Sequence, residues 1–182
     1  MWQSRVGTFL KHFDFTADAE WLETVDLKQA INEYRVNHPN EGLPRSIFNR
    51  VLDWKLRKQR HRVARHHLNL TDQMIFEIAG AAFGVNHPVE AVEDRVRTEV
   101  LLALPGVGLG VASAILTLYL PARYGVIDFR AWDEINEVAL GAKSLARNFT
   151  IDQYLKYLHK IRGLASKQGI EAQLVDYALW KV

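Results

Sequence analysis

Three glycines stand at alternate positions in residues 104–113, which read Leu-Pro-Gly-Val-Gly-Leu-Gly-Val-Ala-Ser. Because Gly106, Gly108 and Gly110 have no side chains, a ligand can approach the backbone closely there. A helix that begins near Val111 would add free amides and a dipole that favours an anion. Such a turn suits one nucleic-acid phosphate, held without reading base sequence. The alternative is a tight turn between packed helices, but three alternating glycines exceed what such a turn needs.

A single carboxylate, Asp128, lies eighteen residues beyond Gly110. One interpretation is that Asp128 only caps a helix that begins at Phe129. A catalytic role is compatible with that cap, since the cap of a helix that faces a cleft can perform both.

Positive charge is concentrated between Arg45 and Arg65. This stretch holds eight Lys or Arg residues against one acid, a net charge of +7, although the whole chain carries only +2. Such a concentration predicts a polyanionic partner. Arg60, Arg62 and Arg65 are the candidate phosphate contacts, which would make binding depend strongly on salt. The alternative is an ordinary solvated helix face.

The order of these features resembles the helix-hairpin-helix base-excision DNA glycosylases. The resemblance is carried by residues 104–108 (Leu-Pro-Gly-Val-Gly), by Ala112 and by residues 126–128 (Val-Ile-Asp), and it is specific over residues 95–135. It implies an all-α, two-lobed protein with double-stranded DNA bound across a cleft and the hairpin on a backbone phosphate. It also implies that Asp128 is the catalytic residue, at the mouth of a pocket that receives an everted base. When an N-glycosidic bond breaks, positive charge builds up on the sugar, and a nearby carboxylate stabilises that charge or orients the attacking water.

Two departures from the family pattern bear on the chemistry. Many members that also nick the strand carry a lysine where this chain has Gly110, so the resemblance implies the monofunctional branch, in which water attacks. Arg130 stands where several branches have histidine. Its guanidinium would contact a phosphate, keep Asp128 ionised, or lock Asp128 into a purely structural ion pair.

The cofactors expected from the sequence are few. The chain has no cysteine, which excludes the iron–sulfur cluster that some family members hold. No side-chain metal site is predicted, because His61, His66 and His67 lack ligand spacing. The resemblance implies a monovalent cation on the carbonyls of the hairpin, and we expect no required cofactor.

Four residues are candidates for the wall of a base pocket: Trp54, Lys55, Phe129 and Trp132. In the family an early helix lines the cleft, so an aromatic ring and a cation there would stack on and hold a flipped base. Lys55 would also supply the amine that the hairpin lacks. The alternative is that the aromatic rings pack in the core and the cation is solvated.

A rival function of another class is a non-catalytic DNA-binding module that kept the scaffold and lost the chemistry. The missing hairpin lysine, Arg130 and the short chain of 182 residues favour it. A third hypothesis is an RNA-binding protein that uses the same phosphate-binding turn.

Helical periodicity over nearly the whole chain predicts an all-α fold and one unit spanning residues 1–182. Residues 45–128, with the hairpin 104–110, are predicted to form a central lobe, and residues 1–44 with 129–182 a second lobe. The predicted helices include one at 18–36, one from Ser46 to about His67, one from Thr71 to Gly84, one starting at Pro88, a buried one at 111–120, one at 129–140, one capped by Thr150 and Gln153, and a last one ending at Trp180.

The expected location is the cytoplasm, with no membrane partner. The first residues contain no apolar stretch typical of a signal peptide. The longest uncharged run, residues 100–122, is interrupted by Pro105 and several glycines, which argues against a membrane span. The absence of cysteine is consistent with a reducing compartment.

Overall fold

A computed structural model describes residues 1–38, 41–137 and 148–182, and these ranges contain ten α-helices and no β-strand. The prediction of an all-α chain is therefore confirmed for this part of the protein. In chain order the helices are α1 (Trp2–His12), α2 (Ala19–Asn37), α3 (Arg45–Leu56), α4 (His61–Ala64), α5 (Asp72–Gly84), α6 (Glu90–Leu102), α7 (Leu109–Tyr119), α8 (Phe129–Ile135), α9 (Ile151–Gln168) and α10 (Ala172–Lys181). Within the described ranges, no helix has both the length and the hydropathy required to cross a bilayer.

Helix α7 lies at the centre of the molecule. Every residue from 111 to 118 is buried, and α7 packs against α2, α3 and α6. A helix with apolar residues on all sides must be enclosed by others, and each buried Leu or Ile contributes about 1.5–3 kcal/mol to stability. The predicted central helix is confirmed, although it begins two residues earlier than expected, at Leu109.

Several helix ends are determined by local sequence. The hydroxyl of Thr71 accepts a hydrogen bond of 3.1 Å from the Met74 N–H at the start of α5. Thr150 and Gln153 form the predicted capping box of α9, which ends at Gly169 with φ +65°. These caps satisfy backbone groups that have no partner inside the helix.

The prediction of a single helix from Ser46 to about His67 is wrong. Helix α3 starts after Pro44 and ends at Leu56, and Arg57 has a φ of +49°. From there to His67 the chain forms two 3₁₀ turns around the four-residue α4, and no residue of this stretch is buried. Because no apolar residue lies between Leu56 and Val63, no core contact holds a continued helix against the protein. We call residues 57–68 the basic loop.

Helix α2 turns one face to the core. Its apolar residues Leu22 and Val25 lie outside that face and are 50% and 41% exposed. The buried residues are Thr24, Leu27 and Ile31, which share one face at three- and four-residue spacing. Helix α6 begins at Glu90 rather than at Pro88. The predicted end of the helix that starts at Phe129 lies outside the described residues.

A buried ion network ties α6 to α9 and to the chain that follows α7. Asp94 of α6 is 2.7 Å from Arg123 Nη2 and 2.6 Å from Arg162 Nη1. Burial opposes ionisation of Asp94, but the hydrogen bonds and charges of Arg162 and Arg123 outweigh it and lower the pKa of Asp94 below its ordinary value. Arg162 Nε also donates to the Arg123 carbonyl at 2.6 Å. The segment that leads to Asp128 is thus anchored at its start.

Candidate functional site

The segment that carries Asp128 is held by side chains from three helices. The Ile127 N–H donates to Ser113 Oγ of α7 at 3.2 Å, and the Val126 N–H donates to Asp176 Oδ2 of α10 at 2.9 Å. Tyr154 of α9 donates to the Gly125 carbonyl at 3.2 Å. A Cβ at Gly125 would lie only 2.5 Å from Ile161 Cδ1, so only glycine allows this close approach. The position of Asp128 is therefore set by tertiary contacts.

Asp128 caps α8, and its carboxylate also remains accessible. Oδ1 accepts a hydrogen bond of 3.0 Å from the Ala131 N–H, as the capping interpretation predicts. Oδ2 lies 3.9 Å from Nζ of Lys55, and the side chain is 26% exposed. One oxygen therefore serves the helix, while the other faces an ammonium group and solvent.

Lys55 reaches Asp128 from the last turn of α3 and passes beside Gly110. Its side chain is only 18% exposed. A Cβ placed on Gly110 would lie 3.6 Å from Lys55 Cε, in van der Waals contact. A longer side chain at Gly110 would compete for the space that the lysine occupies. The bare backbone at this position therefore makes room for a cation that comes from another helix.

A cavity of about 190 Å³ opens beside these two residues. Its walls combine aromatic rings with a few polar groups, as is common for small-molecule sites. Trp54 is fixed there by its Nε1–H, which donates to Thr24 Oγ1 at 3.1 Å. The structure thus brings the candidates Trp54, Lys55 and Asp128 together. The lining residues are Glu20, Thr24, Trp54, Lys55, Arg57, Val126, Asp128, Gln173, Asp176, Tyr177 and Trp180.

Two of the polar lining residues were missed by sequence reasoning. Asp176 of α10 is 7% exposed; its Oδ1 accepts a hydrogen bond from the Tyr157 hydroxyl, and its Oδ2 accepts the Val126 N–H. Burial raises the pKa of Asp176 to about 7, against an ordinary value of 3.8, although its hydrogen bonds lower it. Gln173, 2% exposed, has a buried Oε1 with no hydrogen-bond partner in the described residues.

The sequence held a signal for both residues. Asp176 and Gln173 are polar positions on a helix whose neighbouring residues Val175, Ala178 and Leu179 are buried. A polar side chain on an apolar helix face requires a partner or a function. No motif marked them, because their role depends on which segment packs against that face.

Arg130 does not pair with Asp128, so the expectation that it would activate or sequester that carboxylate is wrong. Its guanidinium lies over the Trp180 ring, 5.5 Å from the centroid. Among the described residues, the cation within 4 Å of Asp128 is Lys55. Arg130 instead lines an open groove of about 660 Å³ that also borders Gly108, Gly110 and Asp128.

The two remaining pocket candidates lie outside the cavity. Phe129 is 42% exposed and lines the open groove. Trp132 packs against Phe149, with 5.6 Å between ring centroids, and faces a separate depression beside Ile135 and Leu155. Trp132 therefore does not line the cavity, which corrects its predicted place in the pocket wall. Trp180 of α10 faces both the cavity and the groove.

The three glycines of the hairpin have different environments. Gly106 has φ +76°, and a Cβ there would be 2.8 Å from His67 Nε2, so this glycine serves the turn and its packing. Gly108 is exposed, and a Cβ on it would meet nothing within 4 Å. Gly110 makes room for Lys55. The tight-turn alternative thus accounts for Gly106, whereas the backbone at Gly108 is accessible from solvent.

Free amides do occur at the start of α7. The Gly108 carbonyl accepts hydrogen bonds of 2.9 Å from the N–H groups of both Val111 and Ala112. The N–H groups of Gly108, Leu109 and Gly110 donate to no acceptor within the ranges that the structure describes, and all three residues line the groove. Unpaired amides at a helix N-terminus attract anions.

The arginines of the basic loop divide into two kinds. Arg60 is engaged within the protein, 3.1 Å from both Asp53 Oδ1 and Asn49 Oδ1 and 3.0 Å from His67 Nδ1. These contacts hold the Arg60 guanidinium against the protein, and its role as a phosphate contact stays a prediction. Arg62 and Arg65 are exposed and contact only neutral groups in the described part of the chain, Gln59 Oε1 at 3.0 Å and His66 Nε2 at 3.2 Å.

In the hairpin, the Leu104 carbonyl accepts a hydrogen bond of 3.0 Å from the Val107 N–H. The monovalent cation that the resemblance implies on the hairpin carbonyls stays a prediction. The described residues bring together no group of three or more His, Asp or Glu side chains able to hold a metal ion.

Comparison with known proteins returned no relative: no protein-family model, curated protein or solved structure matches the chain.

Proposed function

We propose that the protein is a helix-hairpin-helix DNA glycosylase of the monofunctional type, which hydrolyses the N-glycosidic bond of a damaged or modified base in double-stranded DNA. The observation that carries the proposal is the placement of Asp128. Its carboxylate borders both a groove lined by Gly108, Leu109 and Gly110, whose amides have no partner in the described residues, and a cavity with aromatic walls. A phosphate, a sugar and a base each find a matching environment there.

Binding in this proposal begins at the backbone of α7. The amides of Gly108, Leu109 and Gly110 hold one phosphate, while Arg130 in the same groove contacts the strand. Arg62 and Arg65 add long-range attraction, because no acid in the described residues neutralises them. The two-lobed division of the chain, with DNA across the cleft, belongs to this proposal.

The chemical step takes place at Asp128. The target base leaves the stack and enters the cavity between Trp54 and Trp180, where ring contacts offset part of the cost of unstacking, about a few kcal/mol. The ionised carboxylate then stabilises the oxocarbenium-like sugar as the C1′–N bond breaks, and a water adds to C1′. The ammonium of Lys55 lies 3.9 Å from Oδ2 of this carboxylate.

A duplex panel tests the proposal. Each duplex carries one modified or mismatched base, is incubated with the full chain, and is then treated with alkali to cleave abasic sites. We expect cleavage at one base class with wild-type protein. DNA binding without an abasic product from any duplex would instead indicate the non-catalytic module, and preference for RNA in a competition assay would overturn the DNA assignment.

The position of Lys55 supports a second candidate activity, strand nicking. An abasic deoxyribose is an aldehyde in its open form, and a lysine amine beside it can form an imine. Nζ of Lys55 lies 3.9 Å from Asp128 Oδ2 and reaches the site from α3. Reduction with borohydride during turnover would trap a covalent protein–DNA complex, and Lys55→Gln would abolish the trap. Base release without any trapped complex would exclude strand nicking by Lys55 and leave hydrolysis as the remaining route.

A further inference from the structure

The cavity beside Asp128 contains a second carboxyl group in a different environment. Asp128 is 26% exposed, capped on α8 and next to an ammonium. Asp176 is 7% exposed, and within the described ranges its hydrogen-bond donors are the neutral Val126 N–H and Tyr157 hydroxyl. Two carboxyl groups in such different environments are candidates for an acid–base pair. The hydrolytic mechanism above uses only Asp128.

Burial decides the protonation of Asp176. The pKa of Asp176 is raised to about 7, with burial as the largest cause; the negative charge of Asp128 also raises it, while the hydrogen bonds from Tyr157 and Val126 and the charge of Lys55 lower it. Near neutral pH the group therefore carries a proton for part of the time. The charged or titratable groups around it are Asp128 and Lys55 across the cavity, Tyr157 and Tyr154 on α9, Glu20 on α2, Arg57 after α3 and Tyr177 on α10.

A second observation points to a ligand in the same wall. Gln173, one helical turn before Asp176, has a buried amide oxygen with no partner in the described residues. An unpaired buried acceptor is unfavourable unless a ligand donates to it. An acid that can donate and an amide that can accept therefore stand side by side, between the rings of Trp54, Tyr177 and Trp180. This pattern matches the edge of a nucleobase.

Resting on the proposed glycosylase function, we propose that Asp176 is the general acid that protonates the departing base. The substrate is then a neutral nucleobase that presents an acceptor to Asp176 and an N–H donor to Gln173. A neutral base is a poor leaving group until it gains a proton. A base that is already cationic, such as 7-methylguanine, needs no acid.

As the C1′–N bond breaks, the Asp176 proton passes to the acceptor atom of the base, and the electron pair of that bond leaves with the base. Water adds to C1′ and gives its surplus proton to the Asp128 carboxylate. Exchange with solvent returns a proton to Asp176 and removes one from Asp128, so the net reaction is hydrolysis.

The test compares two kinds of leaving group in single-turnover reactions of the full chain. The neutral probes are duplexes with hypoxanthine, uracil or 8-oxoguanine, and the cationic probe carries 7-methylguanine. Asp176→Asn keeps the contacts of the fold, because the amide oxygen accepts the Val126 N–H and the amide nitrogen donates to Tyr157. We expect a loss of about 10²-fold or more on a neutral base and a rate near wild type on 7-methylguanine.

A matched control is Asp152→Asn, an exposed carboxyl paired with Arg95 far from the cavity, which should change neither rate. Equal losses by Asp176→Asn on both kinds of base would show a purely structural role and overturn the inference. Wild-type release of 7-methylguanine alone would overturn the substrate class. No release from any duplex would overturn the glycosylase proposal itself.

The pH dependence of the wild-type protein gives a test that needs no variant. Asp176 is protonated below its pKa of about 7, so the rate on a neutral base should fall about tenfold per pH unit above that value. Release of 7-methylguanine should not show this fall. A neutral-base rate that stays constant from pH 6 to pH 9 would rule out the acid role.

Discussion

Two regions of the surface suit a polyanion, and they differ in their chemistry. The start of α7 offers three backbone amides without a partner in the described residues and has no charged side chain of its own. The basic loop offers the side chains of Arg62 and Arg65 and no buried residue. Amides held by a buried helix bind one phosphate at a defined position, whereas exposed cations attract any phosphate and are screened by salt.

From this difference we expect that α7 positions a bound phosphate and that the basic loop attracts it over a longer distance. Helix α7 is enclosed by three other helices, so its amides have a fixed relation to Asp128. In the basic loop, His66 and His67 lie against Gly106 of the hairpin. We expect changes near α7 to alter the chemistry or register of binding, and changes in the loop to alter its salt dependence.

The largest effect is expected from Asp128→Asn. The amide still caps α8 through its oxygen but loses the negative charge that stabilises the sugar, so base release should fall by about 10²-fold or more. DNA affinity, measured by fluorescence anisotropy, should stay near the wild-type value. Asp152→Asn is the control. Undiminished release by Asp128→Asn would remove the catalytic assignment.

The next effect concerns the fold of the hairpin. Gly106→Ala places a Cβ at φ +76° and 2.8 Å from His67 Nε2, which should lower the free energy of unfolding by about 1–3 kcal/mol. Gly108→Ala meets nothing within 4 Å and should leave stability nearly unchanged. Urea denaturation of the two variants measures the contrast. Equal stabilities would mean that Gly106 is not required by the turn.

A smaller effect, on DNA affinity, is expected when one backbone amide of α7 is removed. Leu109→Pro removes one N–H at the first position of α7, where proline is tolerated, and Gly108 before it is already extended at ψ 176°. Loss of a hydrogen bond to a charged phosphate should weaken DNA binding by about tenfold with little change in salt slope. Leu109→Ala controls for the lost side chain. If proline and alanine bind alike, the amide is not a phosphate donor.

The smallest effect at low salt is expected from the basic loop. The double variant Arg62→Gln/Arg65→Gln should reduce the slope of log K against log salt by about 2, one unit for each lost contact. Base release at saturating protein should not change. Arg60→Gln, by contrast, removes the contacts to Asp53 and Asn49 and should lower stability. An unchanged slope in the double variant would exclude the loop from the interface.

Much of the local structure followed from the sequence. Thr71, Thr150 and Gly169 mark helix ends that the structure contains, because capping requires only neighbouring residues. The burial of α7 followed from its uninterrupted apolar run. The helix predicted through Arg57 was wrong, because periodicity cannot show that a stretch without apolar residues has nothing to pack against.

The site was predictable only in part. Asp128 and Gly108 were identified from their spacing, and Lys55 and Trp54 from their place on an early helix. The pairing of Lys55 with Asp128, rather than Arg130 with Asp128, depends on a contact between residues that are distant in sequence. Asp176 and Gln173 escaped notice because no local pattern connects α10 with residues 121–128.

By itself, the sequence determined the helical class, the caps, the buried central helix and the glycine turn with its aspartate, since these depend on short-range sterics, periodicity and hydrogen bonding. Only the tertiary structure decided which cation faces Asp128, which aromatic rings enclose the cavity and which second carboxyl lines it. These depend on long-range packing, where burial and neighbouring charge change what a side chain can do.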